Sequence, residues 1–137
     1  MISFTKIKQY DEETLQLWME CKFAFPKFSE LPPEQHLQKF IDKSVSFFKV
    51  FNDSEFIGCI FIYNIYDDSK EVEIAGFSKR NVDTKSTVKF FVQKIKKKYP
   101  DYKIYATTAQ LSAGILLTSV GFRRGSKIGD ETFYFYD

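Results

Sequence analysis

The segment GFSKRNVDTKSTVKFFVQKIKKKYP, from Gly76 to Pro100, sets Arg80, Thr84, Lys85, Ser86 and Thr87 where a strand gives way to a helix. Backbone N–H groups at a helix N-terminus lack intrahelical partners, and the helix dipole favours an anion there. The hydroxyls of Thr84 and Ser86 add donors, and Arg80, Lys85 and Lys89 add positive charge. The junction therefore has the chemistry of a phosphate cradle. Asp83 supports the opposite reading, in which Asp83 or Thr84 is the N-cap of a surface helix and takes the amides for itself. Glycines, which let a backbone approach a phosphate closely, are absent between Ser78 and Lys98.

Glu71 and Glu73 alternate with Val72 and Ile74 in EVEIAGF and so share one face of a strand. Paired carboxylates there serve proton transfer or simply a solvated surface. Gly76, inside the same strand, suits a bulge or a close backbone approach. Tyr63, Tyr66, Tyr134 and Tyr136 are strand phenols, whose ordinary role is packing with a hydrogen-bonded tip. Tyr134 and Tyr136 share one face, with Phe133 and Phe135 on the other. Cys59, among apolar neighbours, reads as core rather than nucleophile. His36, the only histidine, reads as exposed on a helix, so neither a His-based metal cluster nor a Ser-His-Asp site is expected. Cys21 and Cys59 lack CxxC spacing and read as free thiols of a reducing cytosol, which gives a cytoplasmic expectation. The run KIKKK, Lys94 to Lys98, favours the negative end of a helix dipole and reads first as a solvated basic face, with a weak contact to an acidic partner or nucleic acid as the alternative.

The elements that must position these groups follow from hydrophobic period. ISFTKIKQ reads as a first strand. YDEETLQLWMECKF reads as a helix capped by Asp11, with Leu15, Trp18, Met19 and Lys22 at helical spacing. After the Pro26 region, Pro32 and Pro33 open a second helix with Leu37, Phe40 and Ile41 inward. VSFFKVFNDSEFIGCIFIYNIY reads as two antiparallel strands joined through NDSE, and DDSK leads into EVEIAGF. Val88, Phe91, Val92, Ile95 and Tyr99 mark a long helix from Thr84 that ends at Pro100. YKIYATT is a strand, and AQLSAGILLTSVGF is a short helix closed by Gly121. RRGSKIG is a turn-rich connection or part of a hairpin, and DETFYFYD is the last strand.

The 137 residues suit one domain, 1–137, with 44% apolar, 28% charged and 18% aromatic residues. The net charge of +2, with lysines spread along the chain, is too weak to imply nucleic acid by itself. No apolar run approaches the ~20 residues of a membrane span, and MISFTKIKQYDEE has no signal-peptide core. The expected class is α+β, a mixed sheet with packed helices in the order β-α-α-β-β-β-α-β-α-β, with room for one more strand before the end.

This order, with the local sequence, resembles the GNAT family of acyl-CoA-dependent N-acyltransferases. FIGCIFIY resembles the family's third strand and EVEIAGF its fourth. QLSAGILLTSVGF resembles N-x-x-A-x-x-L-Y-x-x-x-G-F, with Gln110 at the Asn position and Ala113, Leu116, Gly121 and Phe122 matching. RNVDTK aligns with the pyrophosphate loop R/Q-x-x-G-x-G/A: Arg80 fits, while Asp83 and Lys85 replace both glycines. Such a degenerate loop is similar to those of some GNAT-like proteins encoded by phages. Leu117 stands where many members carry a general-acid tyrosine.

The resemblance implies a central sheet splayed between its fourth and fifth strands. It implies pantetheine along Ile74, Ala75, Gly76 and Phe77, and pyrophosphate at Arg80, Thr84, Lys85, Ser86 and Thr87, with Gln110 nearby. Acetyl-CoA would be the co-substrate, and a small amine, or a lysine or N-terminus of a protein, the acceptor. Glu73 occupies the strand where some members place a general base. A strand tyrosine, Tyr134 foremost, or water would protonate the thiolate. The region between the first two helices, which includes His36, borders the acceptor site in this family. Asp83, Lys85 and Leu117 favour an alternative: a GNAT-fold protein without chemistry, acting as a binding or inhibitory module. A different α+β domain with a mimicking helix is a third reading.

Overall fold

Two tight turns fold the middle of the chain into a meander. Asp53 (φ 56°) and Lys70 (φ 54°) adopt the left-handed conformation that closes short strand connections. They fall in NDSE and DDSK, the two segments expected to turn. The structure, a computed structural model, describes residues 1–21 and 31–136. The predicted helical position Lys22, the Pro26 region and the terminal Asp137 lie outside the described residues.

The elements run β1 (Ile2–Lys6), α1 (Glu12–Cys21), α2 (Pro33–Lys43), β2 (Ser46–Asn52), β3 (Glu55–Tyr66), β4 (Glu71–Ser78), α3 (Thr84–Lys98), β5 (Lys103–Thr108), α4 (Leu111–Val120), β6 (Arg123–Ile128) and β7 (Glu131–Tyr136). The strands form one mixed sheet in the order β1-β2-β3-β4-β5-β7-β6. This is the expected α+β order with the additional strand present: RRGSKI is β6, hairpinned to β7. The residues group into two compact units, Met1–Tyr63 with Gly76–Val82, and Asn64–Ala75 with Asp83–Asp137.

In the first unit, β1 and β2 pair antiparallel from Ile2↔Asn52 to Lys6↔Phe48, and β2 pairs with β3. Trp18, fully buried, presents edges to His36 (4.8 Å), Phe40 (5.2 Å) and Phe77 (5.2 Å), while Phe47 stacks on Phe61 at 4.8 Å. Asp11 caps α1, its Oδ1 accepting from the Thr14 N–H at 2.9 Å. Its other oxygen and Glu13 bind the ammonium of Lys49, whose side chain is 9% exposed. Burial pushes the Asp11 carboxyl up, but hydrogen bonds from Lys49 and Thr14 outweigh it and hold the group below its usual range. Burial likewise opposes the charge on Lys49, and the two carboxylates more than restore it, leaving the ammonium raised.

Two expectations are corrected here. The inner face of α1 is Thr14, Leu17 and Trp18, while Met19 is 53% exposed and Leu15 only half-buried. Helical spacing is shared by several overlapping apolar sets, and the one containing Leu17 wins. His36, expected on the surface, is 1% exposed. It precedes Leu37 on the stripe His36, Leu37, Phe40 and Ile41, so the buried face of α2 is one residue wider than its aliphatic pattern. The imidazole body packs as an aromatic between Trp18 and Phe40.

Candidate active site

In the second unit, β4 and β5 run parallel and pair through three rungs: Glu71↔Lys103, Val72↔Ile104 and Glu73↔Tyr105. The ladder then stops, although β4 continues to Ser78 and β5 to Thr108. On its far side β5 stays paired with β7 from Ile104↔Tyr136 to Thr108↔Thr132. The sheet therefore parts on one side of β5 only. Ile74 and Ala75 are the first β4 residues beyond the last rung. The Ile74 side chain is buried, so what it offers at the parting is main chain. Ile104, Ala106 and Tyr134 are buried on one face of this part of the sheet.

Alternation divides the side chains between two faces. Glu71, Glu73, Lys103 and Tyr105 share one face, joined by Phe135 and Phe133 from β7, which lie opposite Tyr105 and Thr107. The Tyr105 hydroxyl donates to Glu73 Oε1 at 3.1 Å. Burial pushes the Tyr105 phenol up, and the Glu73 charge and the hydrogen bond with Tyr66 push it further, so it stays protonated. Val72, Ile104, Ala106 and Tyr134 take the other face. There Tyr134 meets α4: a Cβ built at Gly114 would stand 2.3 Å from the Tyr134 hydroxyl oxygen. Only a glycine at 114 leaves room for the phenol. Gly114 and Leu117 are the buried residues of α4, so the phenol of Tyr134 sits one helical turn from the position where the family motif carries its tyrosine.

The N-terminus of α3 is the second part of the site. Asp83 is its N-cap, and Asp83 Oδ1 accepts from the Ser86 N–H at 3.0 Å. The Thr87 hydroxyl donates to the Asp83 carbonyl at 3.1 Å. The Ser86 backbone hydrogen bond, then the Ser86 hydroxyl, hold the Asp83 carboxyl below its usual range. Lys85 is exposed, Thr84 and Ser86 are half-buried, and Thr87 is buried. Gln110 is the N-cap of α4 without a side-chain cap bond; its N–H donates to Thr108 Oγ1 at 3.0 Å.

Three predicted residues belong to the first unit. Gly76 does serve a close backbone approach, but toward β3: a Cβ there would lie 2.7 Å from the Cys59 carbonyl oxygen. Phe77 is buried against Trp18. Arg80 is exposed beside Asn81, which has φ 58°. Cys59 is buried and burial pushes its thiol well up, as suits a core thiol.

The structure thus brings Glu73 to Tyr105, Tyr105 to Tyr66, and Tyr134 to α4, with Glu73 and Tyr134 on opposite faces. Sequence reasoning missed Tyr105. The signal was present in YKIYATT, where the tyrosine is the third strand residue, as Glu73 is in EVEIAGF. Among the described residues, no group of three or more His, Cys, Asp or Glu could hold a metal ion, and no helix is long and apolar enough to cross a membrane.

No family model matches the chain, and no curated protein matches it in sequence. Solved structures do. A Bacillus subtilis acetyltransferase in complex with CoA superposes with a TM-score of 0.73 at 14% identity, covering 100% of this chain and 99% of that one. The N-acetyltransferase PseH of Campylobacter jejuni, in complex with acetyl coenzyme A, gives 0.71 at 19% identity, covering 99% and 98%. An N-acetyltransferase from Staphylococcus aureus Mu50 gives 0.70 at 16%, covering 100% and 97%. The fold is that of the GNAT N-acetyltransferases.

Proposed function

We propose that this chain, with the GNAT fold, is an acetyl-CoA-dependent N-acetyltransferase. The observation that carries the reading is the β4–β5 ladder that ends at Glu73↔Tyr105 while both strands continue. A parted pair of strands offers main-chain N–H and C=O groups that a pantetheine amide can match. Complexes of two similar folds with CoA or acetyl coenzyme A support the same ligand class.

Ile74 and Ala75 would hold the pantetheine through their backbone. The first turn of α3, with Thr84, Lys85, Ser86 and Thr87, would meet the pyrophosphate, and Gln110 would flank it. The residues fit this ligand with one obstacle. Asp83 already satisfies the Ser86 amide, so a diphosphate must displace it. Acetyl-CoA, when bound, supplies an acetyl thioester. Glu73 accepts the proton that the acceptor nitrogen loses as its bond to the acyl carbon forms. Tyr134 donates its hydroxyl proton to the sulfur as the carbon–sulfur bond breaks. Tyr105 orients Glu73 through its hydrogen bond.

The test is calorimetric titration with acetyl-CoA, followed by thiol-release assays with a panel of amines. Micromolar binding and amine-dependent thiol release are expected. No heat at millimolar acetyl-CoA would end the enzyme reading. One observation favours a second reading. The Asp83 cap satisfies the Ser86 amide without a ligand, as suits a GNAT-fold module that binds or inhibits a partner and performs no transfer.

A further inference from the structure

The outward face of α4 carries large aliphatic side chains and no charge. The helix reads LSAGILLTSV, and its buried residues are Gly114 and Leu117. Leu111 is 81% exposed, and Ile115, one turn on, is 62% exposed. Ser112, Thr118 and Ser119 complete the exposed arc. A helix that is apolar on its outer as well as its inner side is ordinarily covered on both. On α3, packed beside α4, Phe90 is 44% exposed, turned away from the buried Val88, Phe91, Val92 and Ile95.

Positive charge borders this strip on both sides. Lys89 and Lys97 are exposed on α3 with Phe90. On β6, which also touches α4, Arg124 lies opposite Tyr134 and Lys127 opposite Thr132. Cross-strand partners share a face, so both cations take the side of the sheet that α4 covers. None of these four cations joins an ion pair among the described residues. From Thr84 to Lys98, and again from Leu111 to Ile128, the sequence holds no acidic residue. Glu71 and Glu73 stand on the opposite face of the sheet.

These two features select the occupant. Like charge opposes a second copy laid face to face. A nucleic acid would match the cations but offers no hydrocarbon to Leu111 and Ile115. A bilayer with anionic headgroups offers phosphate to the cations and acyl chain to the aliphatic residues. We propose that the face built by α3, α4 and β6 docks on an anionic lipid bilayer, with Leu111 and Ile115 entering the boundary between headgroups and acyl chains and the bordering cations meeting lipid phosphates. No helix among the described residues is long and apolar enough to cross a membrane, so the chain lies on the bilayer through this face. Docking goes beyond acetyl transfer and does not depend on it.

The experiment is co-sedimentation of the full chain with vesicles of phosphatidylcholine, alone or with about 30% phosphatidylglycerol. In about 0.1 M salt the anionic vesicles should bind about tenfold more tightly or better, and about 0.5 M salt should remove most of that difference. Leu111→Ser with Ile115→Ser, both at exposed positions, should weaken anionic-vesicle binding about tenfold. Lys89→Glu with Lys97→Glu should erase the preference for anionic lipid. Leu111→Trp should shift its fluorescence to the blue on anionic vesicles, as an indole does on leaving water. Equal binding to both vesicles, binding to neither, or a Leu111→Trp emission that vesicles leave unmoved overturns the proposal. So does vesicle binding that ignores both serine substitutions and is displaced by short duplex DNA, which marks a polyanion contact only. A lipid-free dimer in sedimentation equilibrium that the serine substitutions dissociate would assign the face to a second copy and overturn it as well.

Discussion

The Tyr105 hydroxyl donates to Glu73 Oε1 at 3.1 Å across the last rung that joins β4 to β5. This tyrosine–carboxylate contact lies at the rung where the β4–β5 ladder ends. Below it, main chain binds main chain. Above it, β4 and β5 continue without pairing to each other. Glu73→Gln should lower kcat/KM at least a hundredfold, the usual worth of a positioned general base. Unchanged turnover across pH would remove Glu73 from the reaction.

The same contact is visible without any assay of activity. Burial and the Glu73 charge both raise the Tyr105 phenol. In an ultraviolet titration of tyrosinate, Tyr105 should ionise after the exposed tyrosines. Glu73→Gln removes the negative neighbour, so the late phase should move to lower pH. A late phase that ignores this substitution would mean that the two groups do not meet in solution.

Asp83 accepts from the Ser86 amide, the group that the proposed reading assigns to a diphosphate. Under that reading Asp83→Gly should strengthen acetyl-CoA binding, by about three- to tenfold, at little cost to the helix, because Gly ranks close behind Asp as an N-cap. Lys85→Glu should weaken it by a similar factor through reversed charge. Calorimetry measures both, and an Asp83→Gly affinity equal to or below that of the parent would place the pyrophosphate elsewhere.

Gly114 and Tyr134 should be coupled. Gly114→Ala thrusts a methyl to within 2.3 Å of the phenol oxygen, an overpacking that costs about 1–3 kcal/mol. Tyr134→Phe in the same chain should recover part of that loss in urea unfolding. Additive effects of the two substitutions would show that the side chains do not touch.

The buried ammonium of Lys49 predicts a pH window for stability. The Asp11 carboxyl is lowered from 3.8, so its contribution is present above that value and is lost as pH falls through the depressed one. Lys49 is raised from 10.5, so its contribution is present below that value and is lost as pH rises through the raised one. Lys49→Met should cost about 1–3 kcal/mol near neutral pH, less than a fully buried pair because both carboxylates are half exposed. It should also flatten the acid limb. Chemical denaturation from pH 3 to pH 11 (a range of about 8 units) follows both limbs.

Much of this architecture is legible in the residues because it rests on local period and local chemistry. The start of α3 at Thr84, the inward set Val88, Phe91, Val92 and Ile95, and the left-handed Gly121 after α4 are written in adjacent positions. So is the turn at Asp53. What the sequence hides depends on partners distant along the chain. The burial of His36 is decided by Trp18 and Phe40, not by its own type. The Glu73–Tyr105 pair is decided by the register of parallel strands 32 residues apart. Gly76 was readable as a close approach, but not as one toward Cys59.

Where Gly114 lies against Tyr134, strand and helix fit as a notch and its peg. Drift in one must then be answered in the other. A descendant of this chain that acquires any larger residue at 114 can keep the packing only by shrinking the residue at 134. In doing so it would discard the hydroxyl offered here as the proton source. Lineages that retain bare space at 114 and a phenol at 134 would be the ones still under selection for transfer chemistry.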